Sequence, residues 1–275
     1  MSHGQKSTGA IRVAIAGLGT VGRALARPLA AGLPGLTLAC VASGDEAKAR
    51  AWLASAGIDC PVVPLRDIPD HADLAVECAP ASLLVQIAEP MLARGKSVMV
   101  LSCGALLQHG ELIDLAEKSG GRIIVPTGGL LGLDAVAAAR EGTIHSVRMI
   151  TRKPPNGLAG APYLVENGIS VENLTTPKRV FEGTARDAVL GFPANVNVAV
   201  ALSLAGIGPD RTSIEIWADP TLTRNCHVIE VDADSARFTL SIENVPSENP
   251  KTGRIVALSV LATLRKLGAP LQVGT

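Results

Sequence analysis

The 275-residue chain sets 25 lysines and arginines against 25 aspartates and glutamates, giving a formal net charge of zero. That balance argues against a nucleic-acid binder, which would show a basic stripe, and gives no long-range field for steering an anionic substrate. With 47% hydrophobic but only 2% aromatic residues, the chain can bury two modest domains yet lacks the platforms on which single-stranded nucleic acid stacks.

In chain order, residues 11–16, 36–42, 74–78, 97–101 and 122–125 read as strands, each a continuous apolar run. Residues 21–31, 46–56, 82–93 and 110–118 show helical spacing between them. Apolar strands alternating with helices predict a doubly wound parallel sheet covered on both faces. After Gly132 the rhythm changes. A helix at 133–140 leads into a strand at 144–151, followed by a Pro-, Gly- and Asn-rich loop over 153–177. Helical patterns at 185–190 and 196–205 precede strands at 213–218, 227–231 and 237–243. Short polar turns such as Asp232-Ala233-Asp234 make this second sheet antiparallel or mixed. An apolar helix over 252–267 is expected to return to the first domain.

The fold class is therefore α/β, an N-terminal Rossmann-type domain with a smaller mixed-sheet α/β domain. The expected boundaries are 1–133 for dinucleotide binding, joined by a C-terminal helix at 250–275, and 134–249 for substrate and dimerisation. Cys40, Cys60, Cys78, Cys103 and Cys226 show no paired spacing, so they read as small buried hydrophobes in a reduced setting. No leader pattern opens the chain and no apolar stretch is long enough to cross a bilayer, so a cytoplasmic protein without membrane partners is expected. Histidines and cysteines do not recur at ligand spacing, and no metal is expected.

Gly17, Gly19 and Gly22 stand in Gly17-Leu18-Gly19-Thr20-Val21-Gly22, after a strand and at the opening of a helix. That context makes the motif a dinucleotide fingerprint: a tight turn, an open approach for the pyrophosphate, and close helix–strand packing. Thr20 and Val21 bring their N–H groups to the positive end of the helix, where phosphates bind. The second strand ends Val41-Ala42-Ser43-Gly44-Asp45. Ser43 holds the position beside the ribose, Asp45 falls slightly late, and no arginine stands beside Ser43. A serine neither demands a 2′-hydroxyl nor repels a 2′-phosphate, so NAD or NADP with weak discrimination is expected.

Several further blocks carry a resemblance. They are residues 95–106 and 126–135, Thr151-Arg152-Lys153-Pro154-Pro155, and Phe192-Pro193-Ala194-Asn195-Val196-Asn197-Val198-Ala199. Ala218-Asp219-Pro220, Asn225-Cys226-His227 and Glu248-Asn249-Pro250-Lys251-Thr252-Gly253 complete the series. Together, in order and over nearly the whole chain, they resemble the L-aspartate dehydrogenase family. The resemblance implies a homodimer that oxidises L-aspartate in a step linked to NAD biosynthesis. Gly129 stands where the family has alanine, a tolerable change if the cofactor contact there is a backbone N–H. Leu131 replaces a glycine, a change that bears on the shape of the nicotinamide end.

Of His3, His71, His109, His145 and His227, only His227 lies in a resembling block, where the family's histidine is catalytic. A histidine moves protons near neutral pH, as oxidation of an amine to an imine followed by water addition requires. If the segment is a strand, Cys226 and His227 point to opposite faces and form no nucleophilic dyad. Cys226 and Cys103 are read as packing thiols. The resemblance points to Asn197 at the cofactor, while Asn195 suits a helix cap. A dicarboxylate needs cations, and Arg152, Lys153 and Lys251 are the candidates. Asp219 is a candidate to orient the second ring nitrogen of His227. Two other readings are open: a related reductase of the dihydrodipicolinate or homoserine type, and an NAD(H)-binding sensor without turnover.

Overall fold

The same alternation of apolar runs and helices is present in the computed structural model, which describes residues 9–193, 196–247 and 253–274. Its first elements are β1 (Ile11–Ala16), α1 (Thr20–Ala30), β2 (Leu36–Ala42), α2 (Glu46–Ser55) and α3 (Ile68–His71). Then come β3 (Leu74–Glu77), α4 (Leu84–Leu92), β4 (Ser97–Met99), α5 (Cys103–Gln108), α6 (Glu111–Ser119) and β5 (Arg122–Ile124). The later chain forms α7 (Leu133–Arg140), β6 (Ile144–Lys153), α8 (Pro162–Glu166), β7 (Lys178–Thr184), α9 (Ala185–Gly191) and α10 (Asn197–Ala205). It closes with β8 (Thr212–Ala218), β9 (Asn225–Ala233), β10 (Arg237–Asn244) and α11 (Ile255–Gly268).

Contacts divide the chain into two units. The first holds Met1–Val100, Glu111–Ile124 and Leu261–Gln272; the second holds Leu101–Gly110, Val125–Val260 and Val273–Thr275. The α/β architecture is the one read from the sequence. The contact division differs from the sequence boundary at 133 in placing 101–110 and 125–133 with the second unit. Only the later part of the C-terminal helix, from Leu261, groups with the first unit.

In the first unit the strand order is β2-β1-β3-β4-β5, with every pairing parallel. Residues 13–16 of β1 and all of β3 are buried, as befits strands with both faces covered. The order reverses between β1 and β3, where an open α/β sheet leaves a crevice beyond the strands' carboxyl ends. Gly17 leaves β1 at that point, and Cys78 leaves β3 beside it. The helix that follows buries Gly22, Leu25, Ala26 and Leu29, the spacing of one helical face.

The second sheet runs β10-β9-β6-β8-β7. Its β6–β8 pair is parallel and the rest are antiparallel, so it is mixed. On one face Val147, Met149, Ile214, Ile216, Ile229 and Val231 join a core with residues of α7, α9 and α10. The other face is polar. There Arg148 bonds Glu215 and Glu230, and Trp217 donates to Glu215 at 2.9 Å.

Four elements, α3, α5, α8 and β7, are not in the sequence reading. The strand β7 carries Lys178, Arg179, Glu182 and Gly183 at a sheet edge, where charges are at home and blunt the period-two pattern. The six residues of α5 are too few to show a helical period. The expected loop over 153–177 is shortened, because β6 extends to Lys153 and α8 forms within it.

The glycines of the first turn give a direct stability contrast. A Cβ on Gly22 would sit 1.9 Å from the Gly17 carbonyl oxygen, whereas one on Gly19 would meet nothing within 4 Å. Urea denaturation is expected to show Gly22→Ala losing about 1–3 kcal/mol through overpacking. Gly19→Ala should stay within about 0.5 kcal/mol of the parent. Equal losses would contradict this account of the turn.

Candidate active site

The first unit offers a cradle of backbone. Gly17 adopts φ +107°, and a Cβ there would lie 2.5 Å from the Cys78 carbonyl oxygen, so side chains are excluded by conformation and by space. Gly19 is the N-cap of α1, and no side chain caps the helix. Its own Cβ position is open, which leaves room for a phosphate to approach the first-turn N–H groups of Thr20 and Val21. Gly22 lets the helix press onto the strand. The three glycines thus meet the demands of a pyrophosphate site, each for its own reason.

Ser43 follows β2 directly and is half-buried. Its Oγ accepts from the Asp45 N–H at 3.4 Å. Asp45 caps α2 by accepting from the Lys48 N–H at 2.9 Å. The later carboxylate therefore has a structural task, and the serine stands at the strand end.

Near the end of β6 and the start of β9, the core-packed face of the mixed sheet, which carries Met149 and Ile229, also carries buried polar groups. Thr151 and His227 are register partners across β6 and β9, and Thr151 Oγ1 lies 3.2 Å from His227 Nδ1. His227 is 3% exposed and Lys153, two residues beyond Thr151 on the same face, is 5% exposed. Burial pushes the imidazole down to about 3, with the positive charge of Lys153 adding to the effect. Burial also brings the Lys153 ammonium down to about 8. Near neutral pH this is a neutral imidazole beside a protonated lysine. Thr151 engages Nδ1 and so fixes the plane of the ring; in the tautomer whose Nδ1–H donates to Thr151, Nε2 carries the lone pair.

Other expected residues are distributed differently. Arg152 is the partner of Cys226 in the same register and faces away from His227. Its guanidinium stacks 4.6 Å from the Trp217 ring centroid and lies 3.6 Å from an Asp219 oxygen. The structure therefore brings Lys153, but not Arg152, to His227. The orienting role expected of Asp219 is filled by Thr151. Asp219 accepts from the Thr221 N–H at 3.0 Å and from its hydroxyl at 2.6 Å. Those bonds, with Arg152, hold its carboxyl below the usual range despite burial.

Cys226 is half-buried on the face opposite His227, so strand alternation separates the two as expected, although the thiol is not fully buried. Burial raises its pKa, aided by Glu243 and Asp219, which disfavours the nucleophilic thiolate. Cys103 opens α5 within the hydrophobic core.

Asn197 opens α10, and its Oδ1 accepts from the Gly104 N–H at 3.0 Å. That bond fixes which end of the amide is which, with the oxygen turned to Gly104. A Cβ on Gly129 would meet only ordinary contacts at 3.5 Å or more, so this position has room for the family's alanine. The carbonyl of Gly129 accepts from Asn244 Nδ2 at 2.7 Å, and the Gly128 N–H donates to Ser259 Oγ at 3.0 Å. Thr151 stands in a resembling block without a signal for its role, and Asn244 and Ser259 carry no sequence signal, since all three act through cross-strand and loop partners. Lys251 and Asn195 lie outside the described residues. Among the described residues no group of three or more His, Cys, Asp or Glu is placed to hold a metal ion. No described helix is long and apolar enough to cross a membrane.

Known proteins match both units. Residues 134–267 match the family model for the C-terminal domain of aspartate dehydrogenase. Residues 17–126 match that for the NAD-binding domain of homoserine dehydrogenase. The chain is 59% identical to an L-aspartate dehydrogenase of Bradyrhizobium diazoefficiens, covering 98% of this chain and 96% of that one. It is 56% identical to L-aspartate dehydrogenase 3 of Bordetella bronchiseptica, covering 96% and 97%. Among solved structures, the aspartate dehydrogenase of Thermotoga maritima shares the fold, with TM-score 0.74 at 24% identity over 96% of this chain and 99% of that one. The first unit is accordingly a binding domain for NAD or NADP.

Burial of His227 has a measurable consequence for stability. Its folded pKa lies below the ordinary 6.5, so between those values the unfolded chain binds a proton that the folded chain refuses. Stability is then lost as pH falls through that window and is unaffected by this group above it. Comparing urea midpoints from pH 7 to pH 4, His227→Asn is expected to flatten the decline, by up to about 1.4 kcal/mol per pH unit for one proton. Parallel curves would contradict a buried neutral imidazole.

Proposed function

The chain belongs to the L-aspartate dehydrogenase family, and from that premise we propose that it oxidises L-aspartate with NAD or NADP. The products are iminosuccinate and then, after water addition, oxaloacetate and ammonia. Overall, L-aspartate, oxidised cofactor and water give oxaloacetate, ammonia, reduced cofactor and a proton. The reading extends to a cytoplasmic homodimer whose product feeds NAD biosynthesis. The observation that carries the chemistry is His227, buried and neutral, held by Thr151 and faced by Lys153.

In the first unit, Gly17, Gly19, Thr20, Val21 and Gly22 hold the pyrophosphate, and Ser43 meets the ribose. In the second, Gly129 offers backbone and Asn197 its amide NH2 to the nicotinamide. When bound, the nicotinamide supplies the two-electron acceptor for the hydride leaving the substrate α-carbon. Lys153 pairs with a substrate carboxylate, a charge-assisted contact strengthened by burial. Lys251 is retained as a second cation for the same substrate. His227 Nε2 takes a proton from the water that adds to the imine carbon, and Thr151 holds the ring while it does so. A substrate carboxylate beside Lys153 offsets part of the positive charge that disfavours the imidazolium, so substrate binding raises the basicity of His227. Ser43 carries no charge to repel a 2′-phosphate, so both cofactors serve.

The first unit matches a homoserine dehydrogenase domain, so the substrate assay must include that alternative. The purified chain is mixed with L-aspartate, homoserine or tetrahydrodipicolinate and each oxidised cofactor, and absorbance of the reduced cofactor is followed. Turnover is expected with L-aspartate, with a cofactor preference below about a thousandfold, roughly 4 kcal/mol. Binding without turnover of any substrate would favour a sensor. His227→Ala should lower turnover by about a hundredfold or more while leaving cofactor affinity nearly unchanged. Unaltered turnover would remove His227 from the reaction.

A further inference from the structure

One buried polar atom of the second unit is left without a protein partner. Asn244 ends β10 opposite Asn225, the first residue of β9, two places from His227 on the same face of the sheet. It is 5% exposed. Its Nδ2 donates to the Gly129 carbonyl at 2.7 Å, which fixes which end of the amide is which. Its Oδ1 is buried and has no hydrogen-bond partner, the one such side-chain atom found among the described residues.

Packing holds the amide in place. A Cβ on Gly253 would come 3.2 Å from Asn244 Cβ and 3.4 Å from its Oδ1, and one on Gly129 would come 3.5 Å from Nδ2. Glycine at 253 thus leaves space beside the carbonyl, and the donor bond to Gly129 prevents the amide from turning Oδ1 elsewhere. A buried carbonyl with no donor is costly, and native structures retain one where something else satisfies it. An apolar residue here would avoid that cost only by leaving the Gly129 carbonyl without its donor, so the amide is kept and its oxygen still calls for a donor of its own.

We propose that Asn244 Oδ1 is a ligand-binding acceptor that receives an N–H from the reacting end of the bound ligands, while Nδ2 of the same amide sets the Gly129 backbone. The inference rests on the dehydrogenase reading. The required chemistry is a nitrogen donor, which that reaction supplies in two places: the carboxamide of the nicotinamide and the α-ammonium of the amino-acid substrate. One amide thereby couples the shape of the Gly129 segment to recognition of a ligand.

The test uses the full chain and two substitutions of similar size. Asn244→Asp keeps an acceptor oxygen but loses the donor to Gly129; Asn244→Leu loses both. Reduced cofactor is titrated by its fluorescence, and KM for L-aspartate is measured separately from kcat. N244L is expected to weaken one of the two by about tenfold, the worth of a buried hydrogen bond, and N244D to restore it to within about threefold. A change in cofactor dissociation identifies the carboxamide as the donor. A change confined to the L-aspartate KM, with N244D equal to or better than the parent, identifies the ammonium. If both variants lose alike, Asn244 only anchors Gly129 and the proposal fails; if neither loses, it fails also. Should N244L not fold, Asn244→Ala, which removes the same carbonyl without adding bulk, takes its place with the same expected loss. Cofactor binding that depends on Oδ1 in a protein inactive on L-aspartate would overturn the substrate reading and leave this one standing.

Discussion

Burial of an imidazole on a β-strand is the constraint around which the second unit is organised. Placing a charge in such a site costs several kcal/mol unless it is paired, and at His227 the neighbouring cation is Lys153, which makes protonation harder still. The resting ring is therefore neutral near neutral pH. The contact between Thr151 Oγ1 and His227 Nδ1 holds the ring in one orientation. Thr151 is in turn placed by the register of β6 against β9, so the sheet fixes the orientation of the imidazole.

The same strands sort the charges. Alternation sends Thr151, Lys153 and His227 to one face and Arg152 and Cys226 to the other. Arg152 is then occupied by Trp217 and Asp219. A single-residue slip would exchange the two sets, exposing the histidine and burying the arginine. The first unit solves its problem without side chains: one glycine supplies a positive φ, one leaves space, and one admits a helix. Both units thus rely on backbone placement, through register in one and through missing Cβ atoms in the other.

Much of this was legible in sequence because glycine spacing and period-two alternation encode local geometry. The turn at Gly17–Gly22, the parallel sheet and the separation of Cys226 from His227 all follow from neighbours in the chain. The partner of His227 did not, because Thr151 lies 76 positions away and is brought there by strand pairing. Asp219 was the plausible carboxylate by block, yet Thr221, two residues on, claims it. Arg152 and Lys153 look equivalent as adjacent cations until a strand sends them to opposite faces. Asn244 has no local signal at all; its interest arises from an oxygen that packing leaves unsatisfied. The strand β7 was hidden by its charges, which suit an edge.

The central claim is that His227 is a neutral base made so by burial. Nuclear magnetic resonance of ring-labelled histidine, with the signal of His227 assigned by its loss in His227→Asn, reads this directly. On lowering the pH from 8 to 5 without ligands, its shift should hold at the neutral-imidazole value. A midpoint for His227 between about 6 and 7 would mean that the ring is hydrated and ionisable in the resting protein, and the account of the site would be wrong.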